Sequence, residues 1–135
     1  MSHTIINAWK SIINTGNHKG LVNIIHENAT FYSPVVHSPQ EGKKRVIKYL
    51  STAVEVFKGK NFCYTNNVIT DNIKFYAEFN ASFDKIEVNG IDFIKCENNL
   101  IKEFKVFLRP LKGIEVVWNE MKIKLMEYDN NLSQQ

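Results

Sequence analysis

The stretch Val88-Asn89-Gly90-Ile91-Asp92-Phe93-Ile94-Lys95-Cys96 is followed by Glu97-Asn98-Asn99-Leu100 and then by a second apolar-rich run from Ile101 to Leu108. Two such runs around a short turn predict a β-hairpin, in which alternate residues share a face. Of the four aspartates in the chain, only Asp92 lies inside an apolar strand. Burial penalises a charged carboxylate, and perturbed acids gather at functional sites. We therefore predict that Asp92 marks the functional site.

The hairpin register decides what surrounds Asp92. A two-residue turn at Asn98-Asn99 would place Asp92 opposite Lys105, with Phe107 and Arg109 on the same face. A β-bulge would shift this pairing by one residue. Two readings of Asp92 therefore stay open: a pocket acid with a raised pKa, or a structural carboxylate paired with Lys105 or with the backbone.

The pattern along the chain predicts helices first and strands afterwards. Ile5, Ile6, Trp9, Ile12 and Ile13 recur at helical spacing before Gly16, and a short second helix and a third helix over about 43–57 follow. The period then changes to two, and it is strictest from Ile73 to Phe83. A terminal helix follows Arg109-Pro110. This order predicts an α+β fold, with a curved antiparallel sheet wrapped around the N-terminal helices and a C-terminal helix.

The length of 135 residues suits one domain, assigned to residues 1–128, with a polar C-terminal tail over 129–135. Net charge is +3, and the one basic cluster, Lys43-Lys44-Arg45, opens a helix without a basic stripe, so we expect no nucleic-acid partner. The sequence contains no run of about 18 apolar residues, so we expect no membrane span, and we also expect no secretion signal at the N-terminus.

Cys63 and Cys96 are expected to be buried free thiols in the cytoplasm. The histidines and cysteines lack metal-ligand spacing, so we predict no metal and no cofactor.

The order and spacing of several motifs carry a family resemblance. The motifs are Trp9…Asn14-Thr15-Gly16-Asn17, Ala29-Thr30-Phe31-Tyr32-Ser33-Pro34-Val35, Gly90-Ile91-Asp92-Phe93-Ile94 and Lys102-Glu103-Phe104-Lys105-Val106…Arg109-Pro110-Leu111. Over residues 5 to 125 the chain resembles the SnoaL-like branch of the nuclear transport factor 2-like superfamily. The resemblance implies a cone of curved sheet and helices, commonly a homodimer. It does not imply one activity, because the fold supports many.

The enzymes of that superfamily differ in the acids they require. Ketosteroid isomerases use an Asp base with a Tyr and a protonated Asp as donors. The resemblance places Asp92 at the donor Asp, but Trp9 at the Tyr and Ser33 at the base, which disfavours this reaction. Epoxide hydrolases of the fold need a second Asp with an Arg, and no second Asp is available. The cyclases fit better, because they are thought to use one aspartic acid as general acid/base.

The remaining candidates are assigned by position. His37 lies in the loop between two prolines, at the expected mouth of the cone, and is a candidate catalytic proton shuttle beside Asp92. Arg109 could anchor a carboxylate or enolate through its planar fork. The candidate ligand-binding residues, each of which could also be a core or surface residue, are Trp9, Tyr32, Phe75, Phe79, Phe107 and Arg109.

Two functional hypotheses follow. The first is an isomerase, cyclase or hydrolase that acts on a small, mostly apolar ligand with a polar group and uses Asp92 as general acid/base. The second is a non-catalytic ligand-binding or dimeric interaction module, favoured by the loss of the Tyr and of the base Asp. A pure protein-partner role would require an exposed apolar patch beyond a dimer interface.

Overall fold

The chain folds into one curved sheet with helices against its concave face, in a computed structural model that describes residues 2–70 and 73–133. The elements are α1 Ser2–Thr15, a 3₁₀ helix His18–Asn23, β1 Ile25–Tyr32, β2 Gln40–Glu41, α2 Lys43–Phe57, β3 Cys63–Thr70, β4 Lys74–Phe83, β5 Ile86–Glu97, β6 Leu100–Arg109 and α3 Leu111–Ser133. The α+β cone fold is therefore confirmed.

The sheet is mixed rather than fully antiparallel. Its strand order is β2-β1-β6-β5-β4-β3. The strands from β3 to β6 form the predicted antiparallel meander, but β1 pairs with β6 in parallel. The parallel pairing of β1, which begins at Ile25, corrects the prediction of a fully antiparallel sheet. The parallel pair closes the sheet against the helices and brings Phe31 level with Phe104.

A β-bulge in the β5–β6 hairpin sets the register around Asp92. Leu100 and Ile101 pair with Glu97 and Cys96 as a two-residue turn requires, and then the register shifts between Lys95 and Cys96. Asp92 therefore lies opposite Val106 rather than Lys105. Because side chains alternate across a strand, this one-residue shift exchanges the two faces of β6.

The concave face and the helices share one hydrophobic core. Phe75, Phe79 and Phe83 line the inner face of β4, and all three are buried. The Phe57 ring, at the end of α2, makes edge contacts with Phe79 and Phe83 at centroid distances of 5.8 and 5.5 Å. This aromatic layer fixes α2 over the sheet.

The last helix is longer than predicted. α3 extends to Ser133, so most of the predicted polar tail from Asp129 is helical, and Asp129 contacts Lys48 on α2 at 2.8 Å. Val117 and Met121 are buried side chains of this helix, and both line a cavity inside the cone. Gln134 and Gln135 lie outside the described residues. None of the helices described is both long and apolar enough to cross a membrane.

Candidate functional site

Asp92 lies on the concave face of the sheet, in the middle of β5. Only 4% of the residue is exposed, which confirms that it is a buried acid. Its neighbours across the sheet are Ala77 on β4 and Val106 on β6. Neither neighbour carries a charge or a hydrogen-bonding side chain, so the carboxyl group has no cation beside it in the sheet.

A chain of hydrogen bonds ends at this carboxyl group. The Trp9 indole Nε1–H donates to the Tyr64 hydroxyl oxygen at 2.8 Å, and the Tyr64 O–H donates in turn to Asp92 Oδ2. Trp9 comes from α1, Tyr64 from β3 and Asp92 from β5. Among the described residues, Tyr64 is the hydrogen-bond partner of the carboxyl group, so Tyr64 and Trp9 together determine its orientation.

The surroundings shift the pKa values of the Asp92 carboxyl group and of the Tyr64 hydroxyl group. Burial raises the pKa of Asp92 from 3.8 to about 7, although the hydrogen bond from Tyr64 acts in the opposite direction. Burial and the neighbouring Asp92 carboxylate raise the pKa of Tyr64 well above its ordinary value. Around neutral pH the Tyr64 hydroxyl is therefore a donor, and Asp92 is present in both protonated and ionised forms.

Two small apolar cavities lie inside the cone. The inner cavity has a volume of about 30 Å³ and is lined by Trp9, Ile13, Phe31, Leu50, Ala53, Phe57, Phe62, Phe79, Asp92, Phe104 and Val106. The outer cavity has a volume of about 40 Å³ and is lined by Phe31, Ser33, Pro34, Val35, Tyr49, Ala53, Phe57, Val106, Leu108, Val117, Trp118 and Met121. Ligand sites usually measure about 300–1,000 Å³, so a ligand must enlarge this interior.

Two of the predicted ligand-binding residues line the inner cavity. Trp9 is 2% exposed and its ring packs edge-on against Phe104 at a centroid distance of 4.9 Å. Phe79 lies between two cross-strand partners, Tyr64 on β3 and Gly90 on β5. Phe75 is buried on the same face but lines neither cavity, so it is a core residue in this arrangement.

Three other predicted residues lie on the convex face. Tyr32 follows the inward-facing Phe31, and the Lys105 ammonium lies 4.5 Å from its ring. Phe107 and Arg109 are exposed, opposite Ile91 and Asn89. The prediction that Phe107 and Arg109 share the face of Asp92 is wrong, because the bulge reverses the alternation of β6. The alternative pairing of Asp92 with Lys105 is wrong for the same reason.

His37 and Cys63 also differ in their surroundings from what the sequence suggested. His37 is exposed in the loop between β1 and β2 and lines neither cavity, so the structure does not bring it to Asp92. Cys63 was expected to be buried but is exposed, whereas Cys96 is buried on the inner face of β5. The described residues include no group of three or more acidic, His or Cys side chains arranged to hold a metal ion.

Tyr64 was not among the predicted site residues. It lies in the polar strand Cys63–Thr70, and its partner Asp92 is 28 residues away. The available signal was its spacing of two residues from Phe62, which places both rings on one face of the strand. Their ring centroids are 4.9 Å apart. Ser33, which the resemblance placed at the ketosteroid isomerase base, lines only the outer cavity. Its hydroxyl accepts hydrogen bonds from the backbone N–H groups of Val35 and Val36 at 3.1 and 3.3 Å.

Solved structures with the same architecture cover nearly the whole chain. A steroid delta-isomerase from Pseudomonas aeruginosa is 29% identical, with a TM-score of 0.87 over 94% of this chain and 93% of that one. An uncharacterized bacterial protein with a cystatin-like fold from Silicibacter pomeroyi is 21% identical, with a TM-score of 0.86 over 97% and 92%. The epoxide hydrolase/cyclase-like enzyme SalBIII, which has a role in pyran ring formation in salinomycin, is 18% identical, with a TM-score of 0.66 over 83% and 92%.

No protein-family model and no curated protein sequence matches the chain. The structural neighbours also include proteins described only as NTF2-like and of unknown function. The predicted resemblance to the SnoaL-like and nuclear transport factor 2-like proteins is therefore confirmed at the level of the fold.

Proposed function

We propose that the protein binds a small, mostly apolar molecule inside the cone and that protonated Asp92 donates to a carbonyl oxygen of that molecule as a general acid. The observation that carries this proposal is the chain of hydrogen bonds from Trp9 through Tyr64 to the buried Asp92, which lies in the wall of an otherwise apolar cavity. The similarity to a steroid delta-isomerase supports an uncharged carbonyl compound as the substrate class.

The chemistry follows from the acidity of Asp92. A carboxyl group with a pKa of about 7 can both give and accept a proton near neutral pH. The Asp92 proton would pass to the carbonyl oxygen, and the carboxylate left behind would take the proton from the adjacent α-carbon. The ketone becomes an enol, and Asp92 regains its proton. An isomerase would return that proton at another carbon, and a cyclase would use the enol as a carbon nucleophile.

Tyr64 and Trp9 are positioning residues in this scheme. The Tyr64 hydroxyl donates its hydrogen bond to Asp92 Oδ2, so Asp92 Oδ1 is the oxygen that would face a ligand. The apolar walls would keep water away from the enol, so the oxygen of the ligand would have Asp92 as its donor.

Enolisation can be tested without knowing the natural substrate. We expect the wild-type protein in D₂O to accelerate deuterium exchange at the α-carbons of 4-phenylcyclohexanone, measured by proton NMR. The Asp92→Asn variant should bind the ketone with no acceleration, whereas the control Asp84→Asn, in the exposed turn after β4, should behave as wild type. Wild-type acceleration retained in Asp92→Asn would contradict the proposal.

Non-catalytic binding is the second candidate. It is favoured by the absence of a second carboxylate or a histidine among the described residues that line the two cavities. Binding of the ketone to the wild-type protein without exchange, weakened in Asp92→Leu, which has no donor, would select this function. Absence of both binding and exchange in the wild-type protein would remove both candidates.

We also propose that the protein is a homodimer through the convex face of the sheet. Tyr76, Ile91 and Phe107 are 42%, 42% and 54% exposed there, and Ile91 and Phe107 are direct neighbours across β5 and β6. Glu78 and Arg109 border these residues with opposite charges, so the face can be complementary to itself about a twofold axis. Phe107 and Arg109 would then serve the interface rather than the ligand.

A further inference from the structure

The inner and outer cavities are separated by only a few side chains. Both are lined by Phe31, Ala53, Phe57 and Val106, which together form a partition. Asp92 lies on the inner side. On the outer side, residues of α3 and of the loop after β1 cover the cavity. Removing the partition would produce one elongated chamber from α3 to Asp92.

Three of the four partition residues cannot readily move aside to join the two cavities. Phe57 is held by edge contacts with the rings of Phe62, Phe79 and Phe83 at 5.4, 5.8 and 5.5 Å. Phe31 stacks on Tyr49 at 5.6 Å and lies 6.0 Å from Phe104. Ala53 carries only a methyl group. Val106 is the remaining member, an aliphatic residue that is only half-buried.

Val106 is also the partition residue beside the acid. It is the direct cross-strand partner of Asp92, and side chains of such partners share a face with Cβ atoms about 4.5–5.5 Å apart. A ligand whose oxygen meets Asp92 must therefore pass its next few atoms over Val106. The β-branched valine has one stiff rotatable bond and cannot fold away as a methionine or leucine could.

We propose that Val106 is the gate that limits ligand length, and that the chamber selects slender, uncharged molecules with a single oxygen at one end. This inference rests on the proposed function, since it assumes that the oxygen is held at Asp92. The walls beyond Val106 offer apolar surface, so a charge or a second polar group at the far end of the ligand would be buried without a partner.

The two tryptophans allow each cavity to be monitored separately. Trp9 lines the inner cavity and Trp118 the outer one, and they are the only tryptophans in the sequence. Their indole N–H signals in a ¹⁵N–¹H NMR spectrum should therefore report ligand in each place. The probe is 4-phenylcyclohexanone, in which two rings lie end to end with one oxygen, and 4-phenylcyclohexanecarboxylate is its charged counterpart.

The Val106→Ala variant should bind the ketone about tenfold more tightly than wild type, with both indole signals shifted. The matched control is Leu108→Ala, which enlarges only the outer cavity and should shift mainly the Trp118 signal with little gain in affinity. The carboxylate should bind at least tenfold more weakly than the ketone. Val106→Ile, which keeps the interior filled, should weaken ketone binding below wild type and stays informative if the alanine variant is poorly folded.

The outcomes separate the gate from the proposed function. Ketone affinity in Val106→Ala no greater than in Leu108→Ala, together with unchanged affinity in Val106→Ile, would overturn the gate. If Val106→Ala gains affinity and the double variant with Asp92→Leu, which has no donor, loses none of it, the gate stands and the donor role of Asp92 fails.

Discussion

Asp92 and Val106 face each other across β5 and β6, so the acid of the cone has an aliphatic neighbour where a simple hairpin would have placed a lysine. An ammonium group in that place would stabilise the carboxylate and lower the pKa of Asp92. With valine there, desolvation dominates and the pKa rises to about 7. The pairing therefore determines which protonation state of Asp92 the interior favours.

The first prediction concerns stability and pH. The raised pKa means that, between about pH 4 and 7, the folded chain holds a proton that the unfolded chain has released. The contribution of Asp92 to the free energy of unfolding is therefore greatest at low pH and falls as pH rises through this window. A change in pKa from 3.8 to about 7 corresponds to about 4 kcal/mol at 1.36 kcal/mol per pH unit.

Urea unfolding at several pH values checks this expectation. The Asp92→Asn variant should lose the decline, so the difference in unfolding free energy between it and wild type should change steadily from about pH 4 to pH 7 and then level off. Asp84→Asn, in an exposed turn where asparagine also tolerates the positive φ of 57°, is the control. Parallel curves for wild type and Asp92→Asn would contradict the raised pKa.

The second prediction concerns the Tyr64 hydroxyl. Tyr64→Phe removes the acceptor of the Trp9 N–H and the donor to Asp92, so we expect a loss of about 1–3 kcal/mol in unfolding free energy. Because the hydrogen bond lowers the pKa of Asp92, that pKa should rise further in the variant. Carboxyl ¹³C NMR titration measures it directly. Tyr76→Phe, on the convex face, should leave the titration of Asp92 unchanged, and an unchanged titration in Tyr64→Phe would refute the predicted coupling.

The third prediction concerns Gly90, two residues before Asp92 on the same face. A Cβ atom there would lie 2.4 Å from Phe79 Cζ and 2.5 Å from the backbone oxygen of Phe107. Gly90→Ala should therefore cost about 1–3 kcal/mol or more and push the Phe79 ring toward the inner cavity. Thermal unfolding and near-ultraviolet circular dichroism measure these effects. Gly20→Ala, with its nearest contact at 3.5 Å, should be close to neutral, and equal stability of the two variants would disprove the crowding.

The fourth prediction tests the proposed homodimer. Phe107→Asp puts a charge in the middle of the exposed convex face, next to Ile91, and should raise the dimer dissociation constant at least 100-fold. Sedimentation equilibrium at several protein concentrations measures it. Met126→Asp, which alters an even more exposed apolar residue on α3, should leave association unchanged. A monomeric wild-type protein at 100 μM, or a Phe107→Asp variant that still dimerises, would contradict the proposed interface.

Local patterns in the sequence predict the elements well. The third predicted helix over 43–57 coincides with α2, and the alternation of β4 places its three phenylalanines inward as expected. The inward position of Asp92 also follows from alternation within one strand, because it depends on no other element. These features are set by neighbouring residues along the chain.

Relationships between distant segments were not predictable in the same way. The bulge depends on how β6 packs against the whole core, and nothing in the Asn98-Asn99 turn indicates it. Burying Val106 and exposing Lys105 is favoured only once the concave face is known to be apolar. The bond from Tyr64 to Asp92 joins residues on strands separated by β4, and sequence spacing alone does not indicate it.

The bulge in the β5–β6 hairpin makes chain length, rather than residue identity, a determinant of chemistry in this cone. Inserting one residue between the bulge and Lys105 would move the rest of β6 along by one position, so that Lys105 would lie opposite the acid and Val106 would face the convex side. The interior would change from a hydrogen-bond donor for neutral molecules into an ion-paired site suited to charged ones. A single insertion could thus give the same scaffold a different class of ligand, with Asp92, Tyr64 and Trp9 all retained.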